Sequence, residues 1–297
     1  MKFAAFLAVA FFSCQSFGGP QKVSIPSLDG KLELPGFWFE AKGSGPRPAV
    51  ISLHGCGGPY DKQGRLNLGF YRDATYFGAE RMHVLAVDSF TPRGQPALCE
   101  LRPGERQISQ DDRREDVFAA IRWLAARADV DSTRIVILGR SHGGSAVLNV
   151  VDGSSSLVQS QPIQPRAAVA FYPGCSTFLR QSRYQLGAPV LLLIGELDDW
   201  TPARPCVDLH ERIASRQKEA PFDLVVYPGS YHGFDGTAPL TIRKGLGMLK
   251  SGQATVGGNA QARWQAHQRT FDFVSAQLGV PLALSHEARF NLKISRN

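Results

Sequence analysis

Residues 134–144 read Arg134-Ile135-Val136-Ile137-Leu138-Gly139-Arg140-Ser141-His142-Gly143-Gly144. Four consecutive branched aliphatic residues suit a strand buried on both faces and are too few for a buried helix. The glycines that follow mark a tight turn, and the segment from Gly143 to Val151 continues as a helix. A strand that turns sharply into a helix is the building unit of an α/β sheet.

The same unit recurs on either side. Upstream lie the apolar runs Pro48–His54 and His83–Asp88. Asp116–Arg127 follows, with apolar residues at Val117, Ala120, Ile121, Leu124 and Ala125, the spacing of a helix packed on one face. Downstream come strands Ala167–Tyr172 and Val190–Ile194, helix Val207–Ser215, strand Phe222–Tyr227 and helix Ala260–Leu278. Apolar strands alternating with helices predict an α/β domain with a mostly parallel central sheet and helices on both faces. Val23-Ser24-Ile25 and Phe37-Trp38-Phe39 suit an antiparallel edge. No composition break, internal repeat or low-complexity tract interrupts the series, so residues 19–297 read as one domain with its core at about 45–280. Gly236–Asn259 reads as a surface excursion, and the residues from Ser285 onward as a basic tail.

Gly139-Arg140-Ser141-His142-Gly143 between a strand and a helix is the spacing of a nucleophile elbow, which lifts a serine hydroxyl above the sheet over a helix N-terminus. The five-residue pattern alone arises by chance about 0.2 times in a chain like this, so its placement carries the weight. A serine hydroxyl needs a base to take its proton and a carboxylate to orient that base. In this topology they follow in the order acid, then histidine. Strand Val190–Ile194 runs into Gly195-Glu196-Leu197-Asp198-Asp199-Trp200-Thr201-Pro202, and strand Phe222–Tyr227 into Pro228-Gly229-Ser230-Tyr231-His232. The candidate catalytic residues are therefore Ser141, Asp198 and His232. Asp198 is preferred to Asp199, which reads as a solvated neighbour or a cap for the helix after Pro202. The oxyanion donors expected are the backbone amides of His142 and of Cys56, in the loop His54-Gly55-Cys56-Gly57-Gly58. Tyr172, Trp200 and Phe234 are candidates to line an acyl pocket. His83, His210, His267 and His286 read as packed or surface residues.

No His-x-x-x-His or Cys-x-x-Cys spacing exists, and neither the P-loop lysine nor the dinucleotide glycine spacing is present, so no metal and no nucleotide cofactor are expected. The 297 residues carry 33 Lys+Arg against 26 Asp+Glu, a formal net charge of +7. The basic residues are scattered. The densest short clusters, Arg113-Arg114 and the Lys293/Arg296 tail, form no stripe interleaved with aromatics, so no nucleic-acid partner is expected. Met1-Lys2, the apolar run Phe3–Phe12 and the small residues up to Gly18 have the make-up of a secretory signal peptide over residues 1–18. Cys14 within it is a poorer match to a lipid-acceptor cysteine. Its removal leaves Cys56, Cys99, Cys175 and Cys206, an even number that suits two disulfides in a periplasmic or secreted protein. No later segment approaches 18 consecutive apolar residues, so no stable membrane insertion is expected after signal removal.

The motifs His54–Gly58, Asp88-Ser89-Phe90-Thr91-Pro92-Arg93-Gly94, Gly139–Gly144, Phe171-Tyr172-Pro173-Gly174, Gly195–Pro202 and Tyr231-His232-Gly233-Phe234 together resemble the dienelactone hydrolase family of α/β-hydrolases. The resemblance covers roughly His54–Leu278 and implies the α/β-hydrolase fold and an ester or lactone substrate of small size. It departs at the nucleophile, which is a cysteine in the founding members and Ser141 here, and this favours a general serine esterase. Family members hold a substrate carboxylate with arginines, for which Arg93 and Arg140 are candidates, a structural ion pair being the alternative for each. The family strand order implies the pairings Cys56–Cys99 and Cys175–Cys206, against free buried thiols. A peptidase or acyltransferase on the same scaffold, or a non-catalytic periplasmic binding protein, are the competing functions.

Overall fold

The computed structural model describes residues 19–217 and 221–282. The signal-peptide segment with Cys14, and the tail with His286, lie outside the described residues. In chain order the elements are β1 (Gln21–Pro26), β2 (Glu33–Phe39), β3 (Arg47–Leu53), α1 (Leu68–Ala79), β4 (His83–Val87), α2 (Gln110–Ala125), β5 (Val130–Arg140) and α3 (His142–Val150). They continue with α4 (Ser156–Ser160), β6 (Ala167–Phe171), α5 (Ser176–Arg180), β7 (Val190–Gly195), α6 (Ala203–Arg216), β8 (Phe222–Tyr227), β9 (Thr241–Lys244), β10 (Gln253–Val256) and α7 (Ala260–Leu278).

Eight strands form one sheet in the order β1-β2-β4-β3-β5-β6-β7-β8. β1 pairs antiparallel with β2, and β2 with β4; every other pairing is parallel. The central strands β3, β4, β6 and β7 are buried at every residue, as their unbroken apolar runs require of strands covered on both faces. Helices cover both faces: α1 meets α7 through the stacked rings of Phe77 and Phe271, 5.1 Å apart, and α2 packs along α3. From β3 the chain steps to β4 on one side and then crosses to β5 on the other. At such a switch point the loops leaving the carboxyl ends of β3 and β5 face each other across a crevice.

Local chemistry sets several boundaries. α2 begins six residues before the periodic apolar run, because Ser109 caps it and Asp112 returns a bond to the Ser109 amide. α7 is capped by the Asn259 side chain and ends at Gly279 in the left-handed region, φ +64°. α1 carries no clear apolar stripe in sequence, since Asp73 lies on its buried face beside Phe70, Ala74 and Phe77. The 236–259 excursion folds into the β9–β10 hairpin, which joins the sheet's carboxyl edge through a bridge between His232 and Val256.

Both disulfides have the pairing that the family resemblance implies. Cys56–Cys99 joins the loop after β3 to the segment after β4, and Cys175–Cys206 joins the loop after β6 to α6. Each therefore links the exits of two neighbouring parallel strands.

Candidate active site

The turn between β5 and α3 is closed by backbone contacts that leave no room for side chains. A Cβ on Gly139 would come 2.2 Å from the Gly143 carbonyl oxygen, and one on Gly143 would come 2.5 Å from that of Leu53. Within this turn Ser141 adopts φ +55°, a strained conformation for a residue with a side chain. The surrounding sheet imposes it: the Ser141 amide donates to the Phe171 carbonyl at 2.9 Å, and its own carbonyl accepts the Ser145 amide at 2.9 Å.

Ser141 Oγ lies 2.9 Å from His232 Nε2, and His232 Nδ1 lies 2.8 Å from Asp198 Oδ2. The other Asp198 oxygen accepts the amides of Trp200 and Thr201, at 2.9 and 2.8 Å. The carboxylate is thereby aimed at His232. The imidazole is held between the rings of Trp200 and Tyr172, each 4.6 Å away between centroids. Its backbone carbonyl accepts the Gly257 amide of the excursion. The three expected residues, 91 positions apart from Ser141 to His232 and 34 from Asp198 to His232, are thus in direct contact.

Asp199 takes the first of its two expected roles and adds a contact. It is solvent-exposed, as a solvated neighbour would be, and it does not cap the helix after Pro202; its carboxylate also accepts the amide of Thr255 at 2.8 Å and braces the β9–β10 hairpin. That hairpin and the loop after β3 wall a cavity of about 1050 Å³ that contains Ser141, His232, Cys56, Tyr172 and Trp200. Arg243 of β9 lies over the Trp200 ring, 5.3 Å from its centroid. Phe234 does not line this cavity. It is fully buried against Phe171, Tyr172 and Tyr227, because the chain turns inward immediately after His232. Arg93 is also elsewhere: both its terminal nitrogens bond Asp116 at 2.8 Å, which makes it the structural ion pair.

Arg140 touches the cavity but is already engaged. Its terminal nitrogens bond both oxygens of Asp73 at 2.8 Å, and its Nε bonds Asp235 Oδ2 at 2.6 Å. Asp235 also takes Arg72 at 2.6 Å and the Tyr172 hydroxyl at 2.7 Å. Burial alone would push the Asp235 carboxyl up, but the Arg72 and Arg140 charges hold it well below the usual carboxylate range. This network ties the residue before Ser141 to the residue three after His232. Sequence reading missed Arg72, Asp73 and Asp235; the only local signal was charged residues inside otherwise buried segments.

Three histidines, His54 and His267 buried and His142 half-buried, affect the pH response. Burial, helped by the Arg113 charge, holds the His54 and His142 imidazoles well below the usual histidine range. Burial, helped by Arg72, holds His267 down at about 3. These rings are neutral in the fold and titrate near 6.5 once unfolded. Below that pH the unfolded chain takes up protons that the folded chain refuses, so stability is lost as pH falls from about 6.5 toward the folded-state values. His54 and His267 are each expected to remove up to about 1.4 kcal/mol per pH unit. Urea unfolding at pH 7 and pH 5 measures this, and equal midpoints would refute it. Among the described residues there is no cluster of His, Cys, Asp or Glu able to hold a metal ion, and no helix long and apolar enough to cross a membrane.

The sheet order and the elbow between β5 and α3 define an α/β-hydrolase. More narrowly, the chain belongs to the dienelactone hydrolase family, whose profile matches residues 100–278. It is 28% identical over 168 residues to a Bradyrhizobium protein named as a probable 2-oxo-3-(5-oxofuran-2-ylidene)propanoate lactonase, a match covering 51% of this chain and 61% of that one. It is 29% identical over 222 residues to an uncharacterised protein of Mycobacterium tuberculosis, covering 71% of each. Among solved structures, it resembles a dienelactone hydrolase-like promiscuous phosphotriesterase from metagenomic libraries, with TM-score 0.63, 17% identity and 88% and 99% of the two chains covered. Esterase 2 of Thermogutta terrifontis matches with TM-score 0.60 at 20% identity, over 91% and 98% of the chains. At these identities the solved structures speak for the fold alone.

Proposed function

We propose that this protein is an exported serine hydrolase that cleaves an ester or lactone of a small substrate through an acyl-enzyme on Ser141. The observation that carries the reading is the chain of contacts from Ser141 Oγ to His232 Nε2 and from His232 Nδ1 to Asp198. His232 takes the Ser141 proton as Oγ attacks the carbonyl carbon and later returns a proton to the leaving group. Asp198 holds the imidazole in the tautomer that leaves Nε2 free to accept. The backbone amides of Cys56 and His142 receive the oxyanion, a contribution of about 3 kcal/mol per donor in comparable sites. Tyr172 and Trp200 line the acyl side of the cavity. The lactonase named among the relatives supports an ester or lactone carbonyl as the target.

Export is part of the proposal. It is supported by the make-up of residues 1–18 and by two disulfides, which persist in oxidising compartments. One experiment addresses both halves. The full-length chain is expressed in a bacterial host, the periplasmic fraction is treated with a fluorophosphonate, and the intact protein is weighed. The expected mass lacks residues 1–18 and carries one adduct, which peptide mapping locates at Ser141. Folded protein that takes no label would favour a binding protein. Label on a chain still carrying residues 1–18 would reject the export half alone. A panel of esters with graded acyl chains, and matched lactones, then defines the substrate.

A further inference from the structure

Arg113-Arg114 is one of the adjacent basic pairs of the described residues, and its first member is wholly buried. Arg113 projects from α2 toward the start of α3. Its Nη1 donates to His142 Nδ1 at 2.9 Å, and its guanidinium lies 5.1 Å from the centroid of Phe90. The Phe90 ring in turn meets the rings of His54, at 4.4 Å, and His142, at 5.7 Å. Arg113 Nε and Nη2 are buried and bond no group of the described residues. The carboxylate that would ordinarily pair with it, Asp116, is held in a two-bond fork by Arg93. Asp88 is near enough for its charge to favour the Arg113 cation, but it makes no hydrogen bond to it: its Oδ1 accepts the amides of Phe90 and Thr91, and its buried Oδ2 bonds no group of the described residues. A buried cation without a contacting carboxylate is expensive and calls for an explanation beyond packing.

Its surroundings supply one. Arg113 has no acceptor capacity, so the lone pair in its bond to His142 must be that of Nδ1, which leaves the His142 proton on Nε2. The ring of His142 is thus tied by a charged donor, and the backbone amide of the same residue opens α3 beside Ser141. Gln110 reaches the His142 carbonyl from the same helix. Charges held in a water-poor interior act more strongly than they would in solvent.

We infer that Arg113 is a positioning residue for the oxyanion hole: through its bond to the His142 ring it fixes the peptide that supplies the His142 amide, and it adds a buried positive charge behind that peptide when Ser141 attacks. Resting on the nucleophile assignment above, the inference adds a buried cation, outside the cavity lining, to the machinery around the reacting carbonyl.

An aryl trifluoromethyl ketone tests it. Ser141 Oγ adds to the ketone carbon, the carbon–oxygen π bond opens to an oxyanion, and the Oγ proton passes to His232 Nε2. Arg113→Met is expected to weaken this inhibitor at least tenfold and to lower kcat by a similar factor, with KM for p-nitrophenyl acetate within about twofold. Arg113→Gln keeps a donor for His142 without the charge. It is expected to weaken the inhibitor by an intermediate factor, and it carries the comparison if the Met variant does not fold. Inhibitor affinity and KM that move together, or neither moving while the melting temperature falls, would overturn the inference and leave Arg113 as core. If Ser141→Ala retains turnover, the nucleophile assignment fails first. If Ser141→Ala is inactive and the Arg113 variants keep wild-type inhibitor affinity, only the present inference fails.

Discussion

Ser141→Ala is expected to lower kcat for p-nitrophenyl acetate by a factor on the order of 10⁴ to 10⁶, with an unfolding free energy within about 0.5 kcal/mol of the parent. The two expectations come from different parts of the same turn. The Ser141 side chain makes its hydrogen bond to His232 Nε2, so removing it takes away the attacking oxygen and little else. The unusual backbone at this position is held by the walls around Gly139 and Gly143 and by the bond from the Ser141 amide to the Phe171 carbonyl, none of which involves the hydroxyl. Alanine therefore inherits the turn without its chemistry. Turnover and guanidinium unfolding, run on the same preparation, check both. Substantial turnover in the variant would sink the nucleophile assignment, and a large loss of stability would show that the hydroxyl also serves the fold.

The second large effect lies beneath the site. Asp235→Asn is expected to cost about 3–5 kcal/mol of stability, because the neutral amide leaves Arg72 and Arg140 buried with half of their compensating charge. Asp235 and Asp73 together balance the two guanidinium groups, so losing either carboxylate strands a cation. Activity should fall as well, since Asp235 joins the His232 loop to the residue preceding Ser141 and receives the Tyr172 hydroxyl that steadies the ring beside His232. Adding Arg72→Met to Asp235→Asn removes one stranded cation and is expected to return part of the lost stability. Guanidinium unfolding of both variants reads the effect. A loss below about 1 kcal/mol, or no recovery in the double variant, would mean that these charges are better solvated than their burial implies.

The central strands were legible because burial on both faces leaves a local mark, an uninterrupted apolar run bounded by glycine or proline. The contact of Ser141, Asp198 and His232 was legible because each closes such a run at the same end of the sheet. α1 escaped notice because its buried face includes Asp73, which is tolerated there by Arg140, a residue 67 positions away. Phe234 and Arg93 were misjudged for a related reason. A residue next to a functional one in sequence has no fixed direction in space, and whether Phe234 turns toward a ligand or the core depends on what packs above it. The 236–259 excursion carried no strong periodicity, yet its hairpin contributes a wall of the cavity and a cation over Trp200.

Strand and helix order, the elbow and the sequence of acid and base are set by neighbours within a few residues, where hydrophobic period, turn chemistry and capping act directly. Which buried charges balance one another is decided at longer range. Asp235 meets Arg140 across 95 residues, Arg113 meets His142 across 29, and Asp199 meets Thr255 across 56. Only folding brings such groups close enough, and far enough from water, for their charges to be felt. The candidate catalytic residues were therefore readable along the chain, whereas the residues that contact and hold them emerged only from the packed molecule.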